Sequence, residues 1–372
     1  MCLCCCRWAS VASSGLAAIH KRSSRISARW SLLSEVTTLP PIVAAIRENR
    51  RALARLLTRI ENNAAAAELA ALYPYGGQAH LIGVTGAPGT GKSSLVNCMA
   101  KAYRAEGKTV SILAVDPTSP FSGGAVLGDR IRMRDLHGDQ GVFIRSMATR
   151  GNLGGLARTT SDMIRALDAA GFDIVLIETV GAGQSEVEIA SAAQTTIVVE
   201  APGLGDDVQA IKAGILEIAD ILVVNKADNP GVESTLRALR AMLDLGHRSE
   251  RIMHHGKLMN VPAAPILGEE AAWQTPIVQT IATDGTGVPE LLAKIAEHRA
   301  YLRASGVQQL RERASLRAEI EERLRDLLLA HLLERVGVAH FQAVVERVLR
   351  REIDPNSAAG LLLAESSRDH KP

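Results

Sequence analysis

The sequence predicts an α/β fold in which a mostly parallel sheet of about seven strands is flanked by helices. Three observations predict it: apolar runs of strand length, helical stretches between most of them, and a glycine-rich loop after the first run. This alternation is typical of a parallel sheet covered on both faces, with ligands bound at the carboxyl ends of its strands. The seven runs are residues 80–85, 109–115, 142–147, 173–178, 195–200, 221–225 and 276–281.

The composition fits one large domain and argues against two classes of partner. The 372 residues carry 42 basic and 40 acidic groups, a net charge of +2, so nothing in the charge balance indicates nucleic acid or an anionic membrane. Aromatic residues make up only 3%, which leaves few platforms for stacking single-stranded bases. No apolar run approaches the roughly 18 residues that a membrane helix needs. We therefore expect a cytoplasmic protein with no nucleic-acid or membrane partner.

The first 35 residues differ from the rest. Residues 1–34 lack Asp and Glu, contain many Ser and carry basic residues, which is typical of an organellar transit peptide; the basic residues are Arg7, Lys21, Arg22, Arg25 and Arg29. A transit peptide would place the protein in the mitochondrial matrix. The alternative is a disordered upstream extension, and we exclude residues 1–35 from the fold prediction.

Helical segments flank the predicted sheet on both sides. Residues 36–78 form an N-terminal helical segment, because apolar residues from Ile42 to Ile60 recur at helical spacing. The sheet domain then covers 79–300, a helical arm 301–356, and a tail 357–372. An apolar stripe on the arm either folds back on the domain or joins a second copy of the chain. Its residues are Leu316, Ile320, Leu324, Leu327, Leu328 and Leu332.

The glycine-rich loop has the sequence of a phosphate-binding loop. Residues 86–93 read G-A-P-G-T-G-K-S, which matches G-x-x-x-x-G-K-[ST] between a strand and a helix. Its glycines allow successive backbone N–H groups to point at phosphate oxygens. We expect Lys92 to reach the β/γ-phosphates and Ser93 to hold Mg²⁺. The predicted phosphate-binding residues are Gly86, Ala87, Pro88, Gly89, Thr90, Gly91, Lys92, Ser93 and Ser94.

A second motif predicts which base is bound. Residues 225–228 read N-K-A-D at the end of a later strand. The carboxylate of Asp228 can accept two hydrogen bonds from the ring N–H and 2-amino group of guanine, which adenine lacks. Asn225 can meet the acceptor edge of the base, and the stem of Lys226 can lie along the ring. After the last strand, Ala282 can close over the base with a backbone N–H. These residues predict a P-loop GTPase that uses GTP and GDP.

Three acids follow strand ends near the phosphate loop. Carboxylates suit Mg²⁺, and the predicted metal ligands are Ser93, Asp116 and Glu178. Asp129 is the third acid. Glu178 stands where other GTPases place the Asp of D-x-x-G, so the N–H of Gly181 would sense the γ-phosphate.

Two further parts of a GTPase site are left open by the sequence. The residue that activates water is unassigned, since Gln184 lies three residues beyond Gly181 rather than directly after it. Arg132 and Arg145 are candidates for an arginine finger.

Five runs of the sequence form a specific combination. They are D-P-T-S-P-F-S-G-G-A from 116, L-G-D-R-I-R-M from 127, F-I-R-S-M-A-T-R-G-N-L-G-G-L from 143, E-T-V-G-A-G-Q-S-E from 178, and N-K-A-D from 225. Together they closely resemble the methylmalonyl-CoA mutase-associated GTPases, the MeaB/ArgK type and its mitochondrial relatives. The resemblance covers roughly residues 41–350.

The resemblance implies a function and several roles. Asp116 and Asp129 would belong to the first mobile loop and Glu178 to the second. Residues 201–207 with Lys212 would form a third switch that carries the nucleotide state to the mutase. The implied catalytic residues are Lys92, Asp116, Asp129, Glu178 and Lys212.

As the resemblance implies, the protein would be a GTP-hydrolysing chaperone of methylmalonyl-CoA mutase or a related cobalamin-dependent acyl-CoA mutase. It would gate cofactor loading and reactivate the mutase, which itself carries the adenosylcobalamin. The family also implies a homodimer formed through the C-terminal helices.

Two other functions compete with this one. A nickel or zinc metallochaperone would use thiol and imidazole ligands. The candidate ligands are Cys2, Cys4, Cys5, Cys6, His247, His254 and His255. A protein kinase of a transport system would need a second acceptor site and a base aimed at its hydroxyl, and the sequence offers no distinct candidate.

Overall fold

The computed structural model describes residues 40–117, 133–136, 138–149, 153–179, 192–203, 218–246, 252–254, 257–259 and 273–368. At its centre lies a parallel sheet of seven strands, which confirms the predicted fold class. The strands are β1 (His80–Thr85), β2 (Val110–Pro117), β3 (Val142–Thr149), β4 (Ile174–Thr179), β5 (Thr195–Glu200), β6 (Ile221–Asn225) and β9 (Ile277–Thr280). β7 (Ile252–His254) and β8 (Lys257–Met259) form a separate antiparallel pair.

Helices precede, connect and follow the strands. The N-terminal segment contains α1 (Pro41–Glu48), α2 (Arg50–Glu61) and α3 (Ala66–Leu72). Between strands lie α4 (Lys92–Ala105), α5 (Leu153–Ala169) and α6 (Val232–Gly246). The chain ends with α7 (Val288–Ser305), α8 (Val307–Val336), α9 (Val338–Leu349) and α10 (Pro355–Arg368), so the segment treated as a tail contains a helix.

The sheet order is β3-β2-β4-β1-β5-β6-β9, which places β1 in the centre. The pairs within the sheet are parallel, so the carboxyl ends of the strands share one edge, here called the carboxyl edge, and their starts share the amino edge. Strands β4, β5 and β6 are buried along their whole length. Continuous apolar runs form such strands because helices cover both faces.

The helices build two main cores on the sheet. On one face, residues of α4 and α7 such as Leu95, Met99 and Leu291 pack against Ile82 and Leu176. On the other face, α2 and α5 pack against residues of β2 and β4. The N-terminal helices thus complete the core instead of forming a separate unit.

A buried polar network occupies the amino edge. Nε2 of His80 and Nδ1 of His298 each lie 2.9 Å from Oγ1 of Thr195. Nε2 of His298 lies 3.3 Å from Oδ1 of Asp220, which also accepts a 3.0 Å bond from Arg311 at the start of α8. Burial lowers the pKa of His80 to about 3, so this histidine is neutral. The network therefore joins three strand starts to α7 and α8.

Helix α8 has one face on the domain and one in solvent. Arg165 of α5 pairs with Glu319, and Arg323 donates to Asp162 at 2.7 Å. On the solvent side, Ile320 is 64% and Leu327 69% exposed. Leu324 and Leu328 are also exposed, so these four stripe residues do not fold back on the domain.

Among the described helices, none is by itself long and apolar enough to cross a bilayer. Helices α8 and α9 reach the required length and apolar character only when taken together, and the chain bends by 95° at their junction.

Candidate nucleotide-binding site

The phosphate-loop sequence connects β1 to α4 through positions that require glycine. The φ angles of Gly86, Gly89 and Gly91 are 138°, 83° and 91°, in the region that favours glycine. A Cβ on Gly86 would lie 2.1 Å from the carbonyl oxygen of Val199. A Cβ on Gly91 would lie 2.4 Å from Nδ2 of Asn225. The loop is therefore packed tightly between β5 and the end of β6.

Lys92 is buried at the first position of α4. Its Nζ donates to the carbonyl oxygens of Gly86 at 2.6 Å and Ala87 at 3.0 Å. The ammonium thus lies against the phosphate loop at the N-terminus of α4. A helix N-terminus favours anions, so this arrangement suits a polyphosphate.

Ser93 and Glu178 meet beside the loop. The hydroxyl of Ser93 donates to Oε1 of Glu178 at 2.5 Å, and both residues are buried. A hydroxyl and a carboxylate are hard oxygen ligands, so this pair fits the donor set that Mg²⁺ prefers. Asp116 occupies the next-to-last position of β2, beside the end of β4.

Asn225 holds three loops together. Its Nδ2 donates to the carbonyl oxygen of Thr90 at 2.8 Å. Its Oδ1 accepts from the N–H of Ala282 and from the hydroxyl of Thr280, both at 3.1 Å. The sequence predicts that Asn225 meets the base, and it gives no sign of these loop contacts. Thr280 is a positioning residue that sequence motifs do not reveal, because its contact depends on the pairing of β6 with β9.

The remaining base-recognition residues lie next to this junction. Nζ of Lys226 donates to the carbonyl oxygen of Gly89 at 2.8 Å, so its aliphatic stem spans from β6 to the phosphate loop. Lys226 has a φ of 56°, which is uncommon for a residue with a side chain. Asp228 is exposed just beyond, where its carboxylate can accept bonds from a ligand.

Arg145 does not have the position expected of an arginine finger. Its guanidinium donates to Oε2 of Glu61 in α2 at 2.7 Å and to the hydroxyl of Thr58 at 3.2 Å. The side chain is only 16% exposed. Arg145 therefore ties the N-terminal helices to the edge strand β3.

Several candidates lie outside the described residues. They are Asp129, Arg132, Gly181, Gln184, Lys212, His247, His255 and the cysteines at 2, 4, 5 and 6. His254 lies in β7. Within the described part of the chain, no group of three or more His, Cys, Asp or Glu residues is arranged to hold a metal ion.

Comparison with known proteins identifies the family. The family model described as "Methylmalonyl Co-A mutase-associated GTPase MeaB" matches residues 53–336. A Pyrococcus horikoshii protein named as a GTPase is 46% identical over 85% of this chain and 94% of its own length. GTPase ArgK of Escherichia coli is 35% identical over 79% of this chain and 87% of its own length.

A solved structure agrees with this assignment. The crystal structure titled as an LAO/AO transport system kinase superposes with a TM-score of 0.62 at 25% identity, covering 89% of this chain and 98% of the other. Residues 53–336, which the family model matches, contain the phosphate loop, the Ser93–Glu178 contact and the N-K-A-D junction. The chain therefore belongs to the MeaB family of methylmalonyl Co-A mutase-associated GTPases and, as a P-loop GTPase, binds and hydrolyses GTP.

Proposed function

We propose that this GTPase is a chaperone of an adenosylcobalamin-dependent methylmalonyl-CoA mutase or a closely related acyl-CoA mutase. It would gate cofactor loading and reactivate the mutase at the expense of GTP. The observation that carries the proposal is the family match over residues 53–336, which covers the whole nucleotide site. The mutase supplies the cobalamin in this proposal.

The chemistry requires positioning and charge neutralisation more than covalent catalysis. Lys92 and the loop N–H groups stabilise charge on the β- and γ-phosphate oxygens. Ser93, Glu178 and Asp116 would hold Mg²⁺, which would neutralise charge on the phosphates. Asp228 selects guanine by accepting from its ring N–H and 2-amino group.

The proposed signal to the mutase passes through residues outside the described part of the chain. In this proposal Asp129 would take part in the first switch, and the N–H of Gly181 would sense the γ-phosphate. Lys212 would contact an acid of the active site and report the nucleotide state to the partner. The protein works in the compartment of its mutase: the cytoplasm, or the mitochondrial matrix if residues 1–35 are a transit peptide.

We assign the exposed apolar face of α8 to a homodimer. A second copy is the natural occupant, because the polar face of the same helix is already fixed on its own domain through Arg165 and Glu319. Light scattering of the double variant Leu324→Glu, Leu328→Glu should give a monomer. The matched control, Arg325→Glu on the same exposed helix, should remain dimeric. A wild-type chain that is monomeric at micromolar concentration would contradict this assignment.

The partner is tested by affinity capture with the full chain. The protein loaded with a non-hydrolysable GTP analogue should co-purify a cobalamin-dependent acyl-CoA mutase. The GDP-loaded protein should capture a different amount of this mutase. Purified mutase should also accelerate GTP hydrolysis. No complex in either nucleotide state, together with unchanged hydrolysis, would reject the chaperone proposal and leave the GTPase assignment intact.

A protein kinase remains the second candidate, because the superposed crystal structure carries that title. A kinase would transfer the γ-phosphate to a protein hydroxyl, whereas the chaperone proposal transfers it to water. GTP labelled in the γ-position distinguishes the two. Label recovered as inorganic phosphate supports the chaperone, and label retained on protein supports the kinase.

A further inference from the structure

Two threonines meet where β1 and β4 leave the sheet. The hydroxyl of Thr179 donates to Oγ1 of Thr85 at 3.1 Å, and both residues are at most 1% exposed. Thr85 is the last residue of β1 and directly precedes Gly86 of the phosphate loop. Thr179 is the last residue of β4 and directly follows Glu178. This hydrogen-bonded pair, here called the threonine pair, has no role in the function described so far.

The register explains why these side chains meet. The parallel pairing of β1 with β4 runs from His80↔Ile174 to Val84↔Glu178. The next position in this register brings Thr85 opposite Thr179. The side-chain hydrogen bond therefore extends the pairing by one position, to the last residue of each strand.

The threonine pair and the Ser93–Glu178 contact hold β4 from opposite faces. Successive side chains of a strand point to opposite faces of the sheet. Glu178 lies on the face covered by α4, where it meets Ser93, so Thr179 lies on the other face. The end of β4 is thus fixed to β1 on one side and to α4 on the other.

We propose that the threonine pair positions Glu178 for GTP hydrolysis. Through Thr179 it holds the backbone of β4 against the start of the phosphate loop, which sets the distance of the Glu178 carboxylate from Ser93 and the phosphates. Thr85 and Thr179 are positioning residues, since they act through Glu178. The proposal rests on the GTPase activity of the family and is independent of the mutase.

Thr→Val substitutions test it, because valine keeps the shape of threonine and removes the hydroxyl. In the full-length chain, Thr85→Val and Thr179→Val should each lower kcat about tenfold, since a single lost hydrogen bond leaves a buried hydroxyl unpaired. KM for GTP should stay within about twofold, because the phosphate-loop contacts remain. More Mg²⁺ should be needed to saturate binding of a fluorescent GDP.

The double variant and a serine variant distinguish positioning from packing. If the two hydroxyls act through one bond, the double variant should lose no more kcat than the worse single variant. Thr179→Ser retains the hydroxyl and should retain kcat. A double variant whose losses multiply, or a serine variant as slow as valine, would overturn the proposal. If Thr179→Val does not fold, Thr85→Val and Thr179→Ser provide the same test.

Thr195→Val is the matched control. It removes an equally buried, hydrogen-bonded threonine hydroxyl from the same sheet at the amino edge. Its melting temperature should fall while kcat and the Mg²⁺ requirement stay unchanged. The same pattern in Thr179→Val would show that the threonine pair contributes stability alone, and the proposal would be rejected.

Discussion

At the carboxyl edge of the sheet, polar side chains bind backbone carbonyl groups of the phosphate loop as well as one another, whereas at the amino edge buried polar side chains mainly bind one another. Lys92, Asn225 and Lys226 all donate to carbonyl oxygens of the phosphate loop. At the amino edge, the side chains form a continuous series of contacts from His80 through Thr195 and His298 to Asp220. Burial of polar groups is therefore a poor guide to function.

The difference between the edges lies in what each arrangement leaves for a ligand. At the amino edge, His80 can donate from Nε2 to Thr195, which donates to Nδ1 of His298, so Nε2–H of His298 faces Asp220. In this assignment each side chain of the network faces another protein group. At the carboxyl edge, the ammonium of Lys92 lies at the N-terminus of α4, and both favour an anion. Substitutions at the two edges should accordingly separate activity from stability.

The largest effect is expected for Lys92→Ala. Loss of the ammonium should lower the rate of hydrolysis by at least about a hundredfold, since it removes charge stabilisation at the transferring phosphate. Phosphate release under saturating GTP measures this. Lys101→Ala removes an exposed lysine from the same helix and should be neutral. Full turnover by Lys92→Ala would show that Lys92 takes no part in GTP hydrolysis.

A slightly smaller effect is expected at the base. Asp228→Ala should weaken GTP binding about a hundredfold, because two hydrogen bonds to a charged acceptor are lost, and should leave ATP binding unchanged. Calorimetry with both nucleotides measures the change in selectivity. Asp244→Ala alters an exposed acid on α6 and serves as the control. Unchanged selectivity between GTP and ATP in Asp228→Ala would show that Asp228 does not recognise guanine.

At the amino edge, stability should change and activity should not. Asp220→Asn should lower the free energy of unfolding by about 2–3 kcal/mol, because Arg311 and His298 lose their buried charged partner. Chemical denaturation measures this, with turnover measured alongside. Glu297→Gln, which breaks an exposed ion pair with Lys294, should cost under about 0.5 kcal/mol. A loss of turnover in folded Asp220→Asn would contradict the prediction that the amino edge affects stability without affecting activity.

The smallest effect is the pH dependence of stability from His80. In the unfolded chain His80 gains a proton below pH 6.5, whereas in the folded chain its pKa is about 3 because burial disfavours the charged form. The unfolded state therefore binds more protons across this window, and stability falls as pH decreases. Between pH 7 and 5.5 the loss from His80 should be about 1 kcal/mol.

The variant His80→Gln isolates this contribution, because it cannot titrate and keeps a polar group near Thr195. Its free energy of unfolding should depend less on pH between 7 and 5.5 than that of the wild type. The lowered pKa of Asp220 acts in the same direction at lower pH: burial by itself would raise it, but the hydrogen bond from His298 and the charge of Arg311 outweigh burial. An unchanged slope for His80→Gln would show that His80 takes up its proton in the folded protein at the same pH as in the unfolded chain.

Local sequence was sufficient for the sheet and for the centre of the site. The apolar runs from His80 and Ile221 became β1 and β6, because the central residues of strands covered on both faces are mainly apolar. The loop motif located Lys92 and Ser93 at the start of α4, because a phosphate loop is contiguous in sequence.

Contacts between distant segments could not be predicted in this way. Arg145 pairs with Glu61, and Thr85 with Thr179, only because strand order and register bring them together. Neither periodicity nor motif spacing encodes such pairings. The helix Pro355–Arg368 was also missed, and it packs through Leu362 and Ala358 against Val344 in a small cluster beyond the main domain.

The contact between Asn225 and the carbonyl oxygen of Thr90 has a thermodynamic consequence for ligand fragments. One side chain holds both the loop that faces phosphate and the loop that contains Ala282. Ordering either loop therefore lowers the entropy lost in ordering the other. Guanosine and pyrophosphate, bound together as separate molecules, should each raise the affinity for the other although they share no covalent bond.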